Sequence, residues 1–157
     1  MGRTQNAKDY RVCQQRESDQ SGRLPQHPKL SSVRALEEIT LNLPKPPSLN
    51  KIYAGVHWAI RLKYKNDYKA AIIQELERFD KFTCESYCLD ISYNSRLDID
   101  NGILVSKFLS DCLVQEGYVK DDTPTYFKRV KIEFDGSLPK NVYQVKIKIK
   151  GYQVYGI

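Results

Sequence analysis

The chain has 157 residues, 41% hydrophobic and 28% charged, with a formal net charge of +6. That size makes one folded domain the default, and that balance excludes an intrinsically disordered chain. No run of about 18 apolar residues occurs, so a membrane-spanning helix is excluded, and the start, MGRTQNAKDY, has no apolar h-region and carries Asn6 where a myristoylation signal needs Ser or Thr, so a cytosolic protein is expected.

Residues 1–35 are polar, rich in Gln, Ser and Arg, and lack periodicity; they read as a disordered basic arm. Residues 1–34 hold seven basic and three acidic side chains, which is +4 of the total +6. A positive balance favours a polyanionic partner such as nucleic acid, but here the excess belongs mostly to the arm.

The folded domain is expected over 36–157. Glu38-Ile39-Thr40-Leu41-Asn42-Leu43 alternates as a strand does. Pro44, Pro46 and Pro47 end it and predict an extended loop through Ser48, Leu49 and Asn50. Tyr64, Tyr68, Ile72, Leu76 and Phe79 recur at helical spacing and predict a helix over roughly 62–79. Tyr87, Leu89, Ile91 and Tyr93 alternate with polar residues as a second strand. Leu104, Val105, Phe108, Leu109, Cys112 and Leu113 mark a second helix, which Gly117 can stop. Val130, Ile132 and Phe134, then Val145, Ile147 and Ile149, alternate with charged residues across the turn-rich 135–141. This last pair reads as an antiparallel hairpin with one apolar and one cationic face. The order β-α-β-α-β-β predicts an α+β fold, a mixed or antiparallel sheet with two helices packed on one face.

Four cysteines (Cys13, Cys84, Cys88 and Cys112) and two histidines (His27 and His57) make neither a disulfide framework nor a standard zinc set. Cys84 and Cys88 are spaced like a loose metal pair with no second pair, and buried reduced thiols account for them better.

The acidic residues carry more information. Asp98 and Asp100 stand two apart in RLDIDN, between a strand and a helix, and in extended chain such side chains point the same way. Asp100 or Asn101 could also cap the helix. Asp121 and Asp122 follow that helix in GYVKDDT. Carboxylates gathered from both stretches would suit magnesium, which takes oxygen ligands from a few carboxylates, water and substrate phosphate. Acidic turns are also common as plain solvated turns, and spacing alone leaves both readings open.

The run DIDN, then Lys107 and Asp111, then GYVKDD resembles the catalytic signature of RusA-type Holliday junction resolvases, and LPKPPSLNKIY at 43–53 resembles that family's first strand and Pro-Pro-Ser-x-Asn loop. The resemblance covers about 36–135. It implies a homodimeric, magnesium-dependent endonuclease, with manganese as a substitute ion, in the cytoplasm of a bacterial or phage-infected cell. Such an enzyme cuts four-way DNA junctions by paired symmetric nicks. By the resemblance, Asp98, Asp100 and Asp122 are the metal-binding aspartates, Lys107 is the catalytic lysine, Asp121 is the supporting acid and Asn50 is the loop asparagine near DNA. Two departures stand out: five residues separate Asn101 from Lys107 where many relatives have two, and Leu97 rather than a basic residue precedes Asp98, with Arg96 one position earlier.

Asp100 to Lys107 spans seven residues, about two helical turns, which returns the side chain to within roughly 20° of its starting direction. Alternatively, Gly102 permits a loop that absorbs the extra residues. Lys51, Arg61, Lys63, Lys65 and Lys69, around the Asn50 loop and the first helix, are the candidate DNA contacts. Trp58, outside the helical stripe, is the candidate for stacking on an unpaired base, while Tyr64 and Tyr68 read as packing. Arg129, Lys131, Lys146, Lys148 and Lys150 form either a DNA platform or a solvated sheet face. The alternatives to a junction resolvase are a nuclease for forks or flaps and a non-catalytic junction-binding module.

Overall fold

The computed structural model describes residues 37–154; the arm expected over 1–35, with Cys13 and His27, lies outside them. The elements run β1 (Glu37–Pro44), α1 (Leu49–Tyr53), α2 (Trp58–Leu76), β2 (Phe82–Thr83), β3 (Ser86–Asn94), α3 (Asn101–Gln115), β4 (Phe127–Phe134), β5 (Val142–Lys150) and β6 (Gln153–Val154). This is an α+β fold on a mixed four-stranded sheet of order β1-β5-β3-β4, with β2 and β6 paired separately.

Alternation decides the layering. Ile39, Leu41 and Leu43 of β1, Tyr87, Leu89, Ile91 and Tyr93 of β3, and Tyr143, Val145, Ile147 and Ile149 of β5 are all buried on one face. Helix α2 covers that face beside β1 and α3 covers it beside β3 and β4. Tyr68, Ile72 and Leu76 of α2 and the expected apolar stripe of α3 are buried. Burial of each large aliphatic side chain contributes about 1.5–3 kcal/mol.

Three local expectations change. The Ser48–Asn50 stretch is not an extended loop: Ser48 caps the short helix α1, its Oγ accepting the Lys51 N–H at 3.4 Å. Helix α2 begins at Trp58, a turn earlier than the apolar stripe suggests, because the His57 ring nitrogen accepts the Ala59 N–H at 3.3 Å and the first turn is exposed. Helix α3 runs unbroken from Asn101, so Gly102 is helical and opens no loop.

The expected β4–β5 hairpin does not form. β4 pairs with β3 in parallel, and β5 lies on the other side of β3, antiparallel to both β3 and β1. The connection after β4 straddles the end of β3, and Asn94 anchors it there. Asp135 N–H donates to the Tyr93 carbonyl at 2.8 Å, Asn141 N–H to the Asn94 carbonyl at 2.6 Å, and Asn94 Nδ2 to the Leu138 carbonyl at 2.6 Å. Asn141 turns the chain with a φ of 63°, a conformation that asparagine tolerates better than most residues. β5, like β3, is buried on the helix side at every alternate position, and these two strands take the sheet centre while the more exposed β4 takes the edge.

Among the described residues no helix is long and apolar enough to cross a membrane.

Candidate functional site

β1 and β3 each run antiparallel to β5, so they are parallel to one another and end at the same edge of the sheet. The loops that follow them therefore meet. Asn101 makes the junction: its Oδ1 accepts the Leu49 N–H at 2.9 Å and its Nδ2 donates to the Asp98 carbonyl at 3.2 Å. Its side chain is buried. Bound in this way, Asn50, Arg96, Asp98 and Asp100 line a groove of about 200 Å³.

The two carboxylates are not consumed locally. Asp100 occupies the cap position of α3, yet its side chain makes no capping bond. The first amides of the helix are satisfied by backbone instead: Asn101 N–H by the Asp98 carbonyl, Gly102 N–H by Ile99 and Ile103 N–H by Asp100. The start of α3 presses on β4, where a Cβ at Gly102 would lie 2.7 Å from Ile132 Cγ2.

Lys107 lies two turns along α3 and is held by two carboxylates, Asp122 at 2.8 Å and Asp111 at 2.9 Å. Lys69 of α2 reaches Asp111 at 3.4 Å. Asp121 supports Asp122 by accepting its N–H at 2.8 Å. The hydrogen bond from Lys107 holds the Asp122 carboxyl below the usual range, and the bonds from Asp122 and Asp111 hold the Lys107 ammonium above its own. Burial pushes the Tyr87 hydroxyl up to about 12, with Asp122 adding to the shift and Lys107 opposing it.

The structure thus gathers Asp98, Asp100 and Asn50 at one groove and leaves Asp122 with Lys107. The crossover explains the separation. α3 leads from the C-terminal end of β3 back toward the N-terminal end of the parallel strand β4, so the two acidic stretches lie on either side of it in the chain. Among the described residues no group of three or more His, Cys, Asp or Glu side chains is placed to hold a metal ion. The donor type at the groove fits a hard cation, since magnesium is often held by one or two carboxylates with water and substrate phosphate.

The remaining candidate contacts divide among neighbouring surfaces. Lys51 lies over the Tyr64 ring at 5.5 Å and lines a cleft of about 500 Å³ beside the proline loop, which shares Ser48 and Leu97 with the acidic groove. Arg61 and Lys65 share a shallow depression with Tyr53 and Trp58, both of which are exposed. Lys63 pairs with Asp67 at 2.6 Å on the outer face of α2. On the open sheet face, Asp90 binds Lys148 at 2.7 Å and Arg129 at 2.9 Å, Glu133 binds Lys131 at 2.9 Å, and Glu38 approaches Lys146 at 3.8 Å. That ladder is a mixed, ion-paired surface rather than a purely cationic one. Cys84, Cys88 and Cys112 are free thiols, with Cys112 buried and the other two half-buried. Burial pushes the Cys84 and Cys112 thiols each up to about 11.

Sequence reasoning named Asn101 only as a possible cap. Its place in the DIDN run was the available signal, but its bond to Leu49 crosses 52 residues and has no local signature.

No family model and no curated protein matches this chain. Among solved structures it is similar to hydrogenase maturation protein HypE in complex with ATP, at 13% identity over 85% of this chain and 34% of that one, with a TM-score of 0.34. It is also similar to a second HypE structure, at 13% identity over 85% of this chain and 36% of that one, with a TM-score of 0.31. The chain spans about a third of the length of these structures, and a likeness this slight assigns neither fold nor activity.

Proposed function

We propose that this protein is a structure-selective endonuclease that cuts four-way DNA junctions by paired symmetric nicks, acting as a magnesium-dependent homodimer in the cytoplasm of a bacterial or phage-infected cell. The observation that carries the reading is the groove itself. Two of the stretches that resemble RusA-type resolvases, 43–53 and DIDN at 98–101, are far apart in the chain and are bonded to each other through Asn101.

Asp98 and Asp100 would hold the ion together with water and substrate phosphate, while Asp122, the third carboxylate of the resemblance, is engaged by Lys107. Magnesium held there would supply a polarised water and neutralise phosphate charge. The chain's own part is positioning and electrostatics. Carboxylates repel phosphate without a cation, so Asp98 and Asp100 would admit a phosphate to the groove for cutting only when they are neutralised, while the cations around the groove hold the junction with or without metal. Lys107, two turns along α3, is held by Asp111 and Asp122. In the proposed reaction it stabilises charge building on the phosphoryl oxygens, with Asp111 and Asp122 keeping it placed. Arg61, Lys65 and Lys51 draw in the DNA backbone, and exposed Trp58 stacks on a base at the branch point.

The deciding assay offers a synthetic four-way junction and a matched linear duplex with magnesium, manganese or EDTA. Junction cutting with either metal, junction binding alone in EDTA, and at least about a hundredfold loss of cutting in Asp98→Asn, Asp100→Asn and Lys107→Ala are expected. Forks or flaps cut in preference to junctions would support the branched-DNA alternative. Tight junction binding without cutting under any metal would leave a binding module.

A further inference from the structure

We propose that the outer edge of β4 is a homodimer interface, at which two copies of this chain pair antiparallel about a twofold axis through Ile132. This deepens the dimer of the proposed function, and it rests on the chemistry of the strand alone.

β4 ends the sheet order, and among the described residues no strand pairs with its outer side. Asp135 N–H points inward, to the Tyr93 carbonyl. Backbone groups alternate along a strand, so those of Val130, Ile132 and Phe134 point outward. An exposed row of that kind is a template for another strand unless it is blunted. The helix side of this edge is apolar where solvent reaches it. Val130 is 41% exposed and Phe134 61%, while Ile99 and Ile103, on either side of the Gly102 that rests on Ile132, are 51% and 56% exposed.

The occupant follows from symmetry and charge. A twofold axis perpendicular to the sheet keeps both copies' helices on one face, and opposed residues must then share a face, so the axis runs through a residue rather than between two. Centred on Ile132, the strand places Ile132 against its mate, Val130 against Phe134, Lys131 against Glu133 and Arg129 against Asp135. From Val130 to Phe134 each apolar residue meets an apolar one, and Lys131 and Arg129, which bind Glu133 and Asp90 within their own chain, each meet an anion across the axis, while Lys128 falls opposite Gly136. Moving the axis to Lys131 sets lysine on lysine, to Glu133 sets glutamate on glutamate, and to Val130 sets Arg129 against Lys131. Like charges directly opposite are destabilising and opposite charges favourable, so one register is selected. Lysine on an edge usually discourages pairing, but here the same strand supplies its complement.

The test is sedimentation of the full chain without DNA or metal, across micromolar concentrations. A dimer is expected for the wild type. Glu133→Lys sets lysines against Lys131 and should weaken dimerisation at least tenfold, while Lys131→Glu/Glu133→Lys restores both cross-strand pairs and should restore the dimer. Circular dichroism confirms that each variant is folded. A monomeric wild type, or a dimer indifferent to Glu133→Lys, overturns the proposal. Because the measurement involves no cleavage, a monomer that still cuts junctions refutes only the interface, and a dimer that cuts nothing refutes only the nuclease.

Discussion

Asn101→Ala isolates the residue on which the groove depends. The amide makes two bonds, to Leu49 N–H at 2.9 Å and to the Asp98 carbonyl at 3.2 Å, from a site 6% exposed. A typical hydrogen bond contributes about 1 kcal/mol net, and a buried donor left unmet costs about 1–3 kcal/mol. Leu49 is half-buried, so water partly replaces the lost acceptor and the lower figure applies. Alanine returns a few tenths of a kcal/mol through helix propensity. The net loss is about 2 kcal/mol, which for a domain of this size lowers Tm by roughly 6–10 °C. Thermal unfolding by circular dichroism measures it, and hydrogen exchange at the Leu49 amide locates it. Asn101→Asp keeps the acceptor for Leu49 and should preserve protection there. A Tm within about 2 °C of the parent, with unchanged exchange at Leu49, would refute the claim that this amide holds the two loops together.

Gly102→Ala should destabilise the protein by about 1 kcal/mol, because overpacking against Ile132 costs about 1–3 kcal/mol and outweighs a propensity gain of about 1 kcal/mol; a stabilised variant would show that Ile132 yields freely. The stabilising effect of Asp122, taken as the difference between wild type and Asp122→Asn, should be complete above about pH 4 and fade as pH falls through the depressed value that Lys107 imposes. Its size should stay under about 1 kcal/mol, because Lys107 is largely exposed and the pair is screened; urea titrations across acid pH would show a flat difference if the ion pair does not form. Trp58, the sole tryptophan, is 64% exposed. Its fluorescence should be quenched by a four-way junction in EDTA and much less by a linear duplex, and emission unmoved by the junction would remove it from the DNA surface.

The sequence by itself determined the class of the fold and which face of each strand and helix turns inward. Alternation fixed which residues of β1, β3 and β5 face the helices, and three- and four-residue spacing fixed the buried stripes of α2 and α3, because a side chain's direction depends only on local backbone period. It also pointed to Asp98 and Asp100 as neighbours, but through extended chain; the structure turns at Ile99 and Asp100, with Asp100 in helical conformation, and both residues still line one groove. Strand adjacency is not local. The run from Val130 to Ile149 has the pattern of a hairpin, and what separates its two strands is the place of β3 between them, anchored through Asn94. The acidic stretches divide for the same reason. Whether Asp122 meets Asp98 or Lys107 depends on how far the α3 crossover carries the chain before β4, and no spacing in the sequence states that distance. Asn101 lies at the same limit: a polar residue at a helix start is an ordinary local feature, and only packing against a loop 52 residues away makes it the link between the two sides of the groove.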